Sequence, residues 1–265
     1  MTVKQGISAI AAMFAATQEE GRAAFLPFFP IGYPTYEDSV EAIVRMAAAG
    51  ADGFEIGVPF SDPLADGPII QEATQVALEN GVTIQHALSA VRTVRKRGVT
   101  QPIFIFSYLN PLINYGTEQI VQDAKAAGAD GFIIPDLPPE EAHLFQKCHE
   151  EDMALVFFLA PTSDTRRVEL VAQQTTGFIY VVSLTGTTGT RQALPEDLQE
   201  FIARLRAQTD APLVLGFGIS TPEHARMMNG LVNGFIVGSA LVRAAKTEGV
   251  DGVHQLTQRL RDALD

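Results

Sequence analysis

The sequence predicts a (β/α)8 barrel, the TIM-barrel form of the α/β class, with an extra N-terminal helix and additional helices, spanning residues 1–265 as a single domain. Three observations point there. Short apolar runs alternate with helical patterns along the chain, the arrangement that gives parallel strands with crossover helices. Eight such units in 265 residues have the size of a closed barrel. A Gly-Phe pair also opens alternate runs, at Gly53-Phe54, Gly131-Phe132, Gly177-Phe178 and Gly234-Phe235. Alternate strands of a barrel supply alternate interior layers, so this regularity favours closure over the rival doubly wound open sheet.

The elements follow in order. Ile7, Ile10, Ala11 and Phe14 stand at helical spacing. Lys4 followed by Ile7 to Ala16 faintly resembles a signal peptide, but the apolar segment is short and Ala-rich, which favours the amphipathic helix. Strands are expected at Ala24 to Ile31, Gly53 to Ile56, Pro102 to Ser107, Gly131 to Ile134, Ala154 to Leu159, Gly177 to Tyr180, Pro212 to Leu215 and Gly234 to Val237. Helices are expected at Tyr36 to Ala48, at Ile69 to Arg97 with a break near Gly81, at Glu118 to Ala126, Glu140 to Glu150, Thr165 to Gln174, Pro195 to Gln208, Pro222 to Met228 and Ala240 to Lys246, and again from Val250. No linker or low-complexity tract interrupts the series.

Composition narrows the function. The chain is 46% hydrophobic and 19% charged, enough apolar residue for a sizeable core. A formal net charge of −12 makes nucleic acid and anionic membrane poor partners. An anionic small molecule can still be held by backbone N–H groups. The lone cysteine, Cys148, permits no internal disulfide and fits a reducing, cytoplasmic setting.

In a barrel of this kind the site lies at the carboxyl ends of the strands. Glu55 is the most informative residue there, an acid inside an apolar strand. Side chains alternate across a strand, so Glu55 points into the barrel if Phe54 and Ile56 face the helices. An ionised group in such a place costs several kcal/mol unless it is paired or titrates, and no arginine falls on an expected strand to pair with it. Proton transfer is the functional reading; a structural glutamate satisfied by a buried donor is the plain one.

Asp66, before Gly67-Pro68, is either a second functional carboxylate or the N-cap of the next helix. Asp62, before Pro63, reads first as a turn former. Asp136, between prolines, reads as a structural or interface residue. Gly189, Gly216, Gly218 and Gly238, with Ser239, flank the last three strands, where this fold recurrently binds phosphate, although glycines there also simply permit tight turns. Ser239 is a candidate N-cap for a helix from Ala240. The Thr- and Gly-rich loop carrying Arg191 has the composition of a lid.

Absences also count. Lys4, Lys96, Lys125, Lys147 and Lys246 fall in helices or near a terminus, which argues against a Schiff base. His86, His143, His149, His224 and His254 lie on expected helices without ligand spacing, so no metal is expected. No P-loop or strand-linked G-x-G-x-x-G signals a nucleotide cofactor. Acid–base chemistry on a phosphorylated molecule remains.

These residues resemble the tryptophan synthase alpha subunit family over essentially the whole chain. The most specific run is Phe54 to Pro68, and the resemblance continues at Tyr108-Leu109-Asn110-Pro111, Pro135-Asp136-Leu137-Pro138, Ser183 to Gly189, Gly216-Phe217-Gly218-Ile219 and Gly238-Ser239. The resemblance implies a carbon–carbon lyase that cleaves indole-3-glycerol phosphate to indole and glyceraldehyde 3-phosphate late in tryptophan biosynthesis. It implies Glu55 as general acid–base and Asp66 as the carboxylate on the indole N–H. Phe28 and Tyr108 would line the indole pocket, and Tyr180 would lie near the glycerol moiety. Gly189, Phe217, Gly218, Gly238 and Ser239 would cradle phosphate, with Thr188 in the closing loop. It also implies a beta subunit partner in an alpha2–beta2 heterotetramer, faced by Asp62, Pro63, Asn110, Pro111 and Pro138. Pyridoxal phosphate would belong to that partner, leaving this chain without a cofactor.

The chain departs from the family pattern at Pro30, Tyr33, Leu184 and Thr187, none of which touches the two carboxylates in sequence. A free-standing lyase, a subunit without turnover and another phosphate-binding barrel are the competing readings. Retained Glu55 and Asp66 count against the last two.

Overall fold

Eight parallel strands pair in chain order, and the eighth returns to the first: β1 (Ala24–Pro30), β2 (Phe54–Gly57), β3 (Ile103–Phe106), β4 (Gly131–Ile133), β5 (Ala154–Leu159), β6 (Ile179–Val182), β7 (Leu213–Gly216) and β8 (Gly234–Val237). The barrel is closed, as the alternating pattern predicts. The computed structural model describes residues 5–182, 196–216 and 218–265, with Glu196 by its backbone alone. Thr188, Gly189 and Phe217, and the loop with Arg191, lie outside the described residues.

Around the sheet run α1 (Ile7–Glu19), α2 (Tyr36–Ala48), α3 (Pro68–Glu79), α4 (Ile84–Lys96), α5 (Leu109–Tyr115), α6 (Thr117–Ala127), α7 (Lys147–Glu150), α8 (Thr165–Gln174), α9 (Glu196–Arg206), α10 (Pro222–Arg226) and α11 (Ser239–Asp262). Several begin on side-chain caps: Thr35 accepts the Asp38 N–H at 3.1 Å, and Asp164 accepts the Arg167 N–H at 2.8 Å. Gly249, at φ 65°, breaks α11 where the sequence separates two helices. Two expectations need correction. The helix expected over Glu140 to Glu150 is a 3-10 segment, Pro139–Phe145, followed by the single turn α7. Helix α5 stands where no helix is expected; Asn110 and Pro111 sit in its first turn, where proline lacks only an N–H that has no helical partner.

The strand register fixes what fills the lumen. Phe28 stands beside Glu55, Glu55 beside Phe104, Phe158 beside Tyr180 and Tyr180 beside Val214. Neighbours in register share a face, so these side chains all point inward. Helix α1 plugs the floor, at the amino ends of the strands. Phe14 meets Phe178 edge-on at 6.1 Å, and Phe178 meets Phe104 at 5.1 Å. A Cβ on Gly53 would come within 3.1 Å of Met13 Sδ, so the glycine makes room for the plug.

The residue before each Gly-Phe pair holds the start of the preceding strand by two hydrogen bonds. Asp52 accepts the Phe25 N–H at 2.8 Å and donates its own N–H to Phe25 C=O at 2.9 Å. Asp130 does the same to Ile103 (2.8 and 2.7 Å), Thr176 to Leu155 (2.8 and 3.0 Å) and Asn233 to Leu213 (2.9 and 2.9 Å). One copy is out of phase. The pairing Phe28–Glu55 sets Phe25 opposite its clamp Asp52, but Phe157–Ile179 sets Leu155 opposite Gly177, one past its clamp Thr176. Gly177, at φ 92°, is the extra residue, a conformation that needs glycine. Phe178 therefore faces the lumen, whereas Phe54, Phe132 and Phe235 face the helices.

Candidate active site

Glu55 lies in the middle of the lumen, 1% exposed, on a strand flanked by the apolar β1 and β3. Its Oε1 is buried with no hydrogen-bond partner among the described residues. Burial pushes this carboxyl well above the usual glutamate range, and the negative Asp66 pushes it further. The structural reading of Glu55 needs a buried donor, and among the described residues this oxygen has none. Tyr180, 4% exposed and stacked on Phe158 at 4.6 Å, feels both acids, and burial with the two charges raises its phenol well above the ordinary range.

Glycines open the mouth above this layer. A Cβ on Gly216 would fall 2.1 Å from the Tyr180 ring, and one on Gly57 2.7 Å from the Phe28 ring. Both aromatic side chains occupy space those glycines vacate. Phe28 continues into an aromatic wall: Phe106 edge-on at 5.2 Å, then Tyr108 at 6.2 Å, then Phe60 against Tyr108 at 5.5 Å. The sequence reading missed Phe106 and Phe60. Phe106 was legible, since it stands two residues past Phe104 and shares its face.

Asp66 sits half-buried at the rim. It is not the cap of α3: Gly67 takes that position, with no side-chain hydrogen bond. This overturns the plain reading of Asp66. Burial raises its carboxyl to about 6, against the Tyr108 hydroxyl, which favours the ionised form. The Tyr108 hydroxyl accepts the Ala65 N–H at 2.9 Å. Two carboxylates in different surroundings thus face one apolar, aromatic chamber, an arrangement suited to handing a proton to and from a flat ring.

On the opposite rim, Gly218 adopts φ 85° and is exposed. Ser239 is exposed but does not cap a helix from Ala240. It is the first residue of α11, and Gly238 is the cap, without a side-chain hydrogen bond. No cap side chain claims the first-turn N–H groups of α11, and the helix dipole adds to their pull on an anion.

The loops expected to face a partner cluster on the side of the rim that carries Asp66. Asp62, Asn110 and Pro138 are exposed; Pro63 and Pro111 are half-exposed. The sequence reading missed two neighbours, Leu64 at 91% and Ile113 at 48% exposed, which among the described residues are the large apolar side chains most open to solvent. Asp136 accepts the Leu109 N–H at 2.8 Å and so holds the start of α5.

Lys96, Lys125, Lys147 and Lys246 all fall on helices, and Lys4 lies outside the described residues. Among the described residues no group of three or more His, Cys, Asp or Glu side chains is arranged to hold a metal ion. Cys148 is buried, and burial pushes its thiol up to about 12. Among the described residues no helix is long and apolar enough to cross a membrane.

Comparison with known proteins agrees with this geometry. The family described as tryptophan synthase alpha chain matches residues 14–263. The alpha chain of Roseiflexus sp. is 47% identical over 237 residues, covering 89% of this chain and 91% of that one. The alpha chain of Chloroflexus aurantiacus is 47% identical over 260 residues, covering 97% and 98%. The structure of Mycobacterium tuberculosis tryptophan synthase superposes with a TM-score of 0.91 at 34% identity, covering 98% of this chain and 99% of that one. With a barrel closed in the expected order and a match over almost its full length, the chain belongs to the tryptophan synthase alpha chain family.

Proposed function

We propose that the chain cleaves indole-3-glycerol phosphate by a retro-aldol reaction, with Glu55 as general acid–base and Asp66 as the electrostatic partner of the ring nitrogen. The observation that carries this reading is the buried, unpaired Oε1 of Glu55 in an apolar lumen. A carboxyl with a raised pKa is protonated when substrate arrives and can donate to indole C3. Protonation at C3 leaves positive charge on the ring nitrogen, and the Asp66 carboxylate accepts that N–H and stabilises the charge. The Glu55 carboxylate then takes the proton from the hydroxyl on the adjacent side-chain carbon. The carbon–carbon bond breaks, its electron pair restores the aromatic ring, and an aldehyde leaves. The proton lent by Glu55 is returned, so indole and glyceraldehyde 3-phosphate form without an added co-reactant.

Phe28, Phe106 and Tyr108 give the flat ring an apolar seat, and Tyr180 borders the glycerol chain. Gly218, Gly238 and Ser239 meet the phosphate at the start of α11; Thr188, Gly189 and Phe217 complete that assignment. A beta subunit docks across Asp62, Pro63, Asn110, Pro111 and Pro138 in an alpha2–beta2 assembly and carries the pyridoxal phosphate. The exposed Leu64 and Ile113 on the same rim support a protein partner there.

Purified protein given indole-3-glycerol phosphate should release indole slowly alone and faster with a beta subunit. Glu55→Gln should lower kcat by about 10²–10⁴-fold while the far-UV spectrum stays unchanged. Wild-type rates in that variant would remove Glu55 from the chemistry.

A further inference from the structure

We infer that the Tyr108 hydroxyl is a positioning group for Asp66, the middle link of a clasp that ties the β2, β3 and β4 loops together over the reaction chamber. The inference rests on the proposed role of Asp66 and goes beyond the ring-packing role of Tyr108. Its phenol oxygen accepts the Ala65 N–H at 2.9 Å, fixing the backbone one residue before Asp66. The next residue, Leu109, donates its N–H to Asp136 at 2.8 Å, so the β4 loop fixes the segment that carries Tyr108. The ring has little freedom, being 3% exposed and wedged between Phe106 and Phe60. A hydroxyl so held has one proton to give, and the Asp66 carboxylate benefits from it.

Among the described residues, two further hydrogen bonds reach Asp66, and both are to its backbone. The β2 loop's own backbone supplies a turn, the Asp66 N–H donating to Pro63 C=O at 3.1 Å. The Gln71 side chain donates to the Asp66 carbonyl at 2.9 Å, a bond that fixes the backbone and not the carboxylate. Without the clasp, the loop can swing the carboxylate away from a ring nitrogen, and a small misplacement of a charge-stabilising group is costly to rate.

Tyr108→Phe keeps the ring and removes the clasp. Loss of one hydrogen bond to a charged group should lower kcat about tenfold, with KM within about twofold because the ring still packs. The same loss should raise the Asp66 pKa above its value of about 6. Among the described residues, the charged and titratable groups facing Asp66 and Tyr108 are Glu55 on β2, Asp136 after β4 and Tyr180 on β6. None of them is altered by the substitution.

Three readouts test the clasp. The Asp66 carboxyl carbon, followed by NMR against pH, should titrate higher in Tyr108→Phe than in the wild type. The Ala65 amide should exchange with solvent faster. In an Asp66→Asn background, Tyr108→Phe should cause no further loss of kcat. An unshifted Asp66 titration, or an equal loss of kcat in both backgrounds, overturns the inference. Failure of the wild type to cleave indole-3-glycerol phosphate would instead sink the proposed reaction, and the titration and the exchange rate would still read the clasp on their own.

Discussion

At the scale of single residues, Glu55 shows how a cost becomes a signal. Its folded pKa lies above the ordinary 4.5, so the native fold holds that proton more tightly than the unfolded chain does. The stability so gained is complete below the ordinary value and is lost as pH rises through the folded one. Glu55→Gln carries no such loss. Its melting temperature should therefore exceed that of the wild type by a margin that widens from about pH 5 to about pH 8, read by thermal unfolding at both. An equal margin at both would mean that the acid is not stored protonated. Activity should follow a bell: the acid limb near pH 6 reports Asp66, which must be ionised, and the alkaline limb reports Glu55, which must be protonated. The alkaline limb depends on the acid one, since the ionised Asp66 raises the Glu55 carboxyl. Glu55 was legible in the sequence because an acid in an apolar run has few explanations. Asp66 was ambiguous, because Asp before Gly-Pro reads equally as a cap. The structure removes the cap reading, since Gly67 takes that position, and it brings Tyr108 from the next strand's loop onto the neighbouring Ala65.

At the scale of elements, four clamps at the barrel floor do what regular hydrogen bonding alone does not: they fix where each odd-numbered strand begins. Asp130 is the most demanding, buried, accepting the Gly6, Ile103 and Arg95 N–H groups at 2.6, 2.8 and 2.7 Å. Burial raises its carboxyl despite those bonds and lowers the Arg95 guanidinium, so the pair is costly to keep and costlier to break. Asp130→Ala should destabilise the fold by about 3–5 kcal/mol and Thr176→Val by about 1–3 kcal/mol, measured by urea unfolding. Similar losses at both sites would mean that charge adds nothing to the Asp130 clamp. The strands were readable because four of the apolar runs repeat one motif. Helix α5 was not, since Asn110 and Pro111 are turn formers by propensity and the Asp136 side chain that holds its start comes from another strand's loop. The 3-10 segment at Pro139–Phe145 was misread for a related reason: its sequence has helical composition, and the tighter winding shows only in the backbone.

At the scale of the whole molecule, charge and shape divide the labour. A chain with a net charge of −12 gives an anionic substrate no general attraction, so the proposed phosphate site relies on local amides at the start of α11. Helix α1 plugs the floor, and the rim at the other end of the barrel carries the exposed Leu64 and Ile113. Leu64→Asp should weaken the complex with a beta subunit by about tenfold or more, measured by calorimetry. An unchanged Kd would move the docking surface elsewhere. The barrel itself was legible from the count and alternation of segments, because closure follows from eight similar units. The phase of β6 was not: its Gly-Phe pair looks like the other three, and only the register exposes the added Gly177.

That single glycine has a reach far beyond the floor. Parity along a strand is kept upward, so one inserted residue beneath β6 decides which of Ile179 and Tyr180 turns into the barrel. A faithful duplicate of any sibling two-strand module would have delivered a greasy branch where the phenol now stands. Excising Gly177 would thus rewrite the chemistry of the vestibule without touching a vestibule residue.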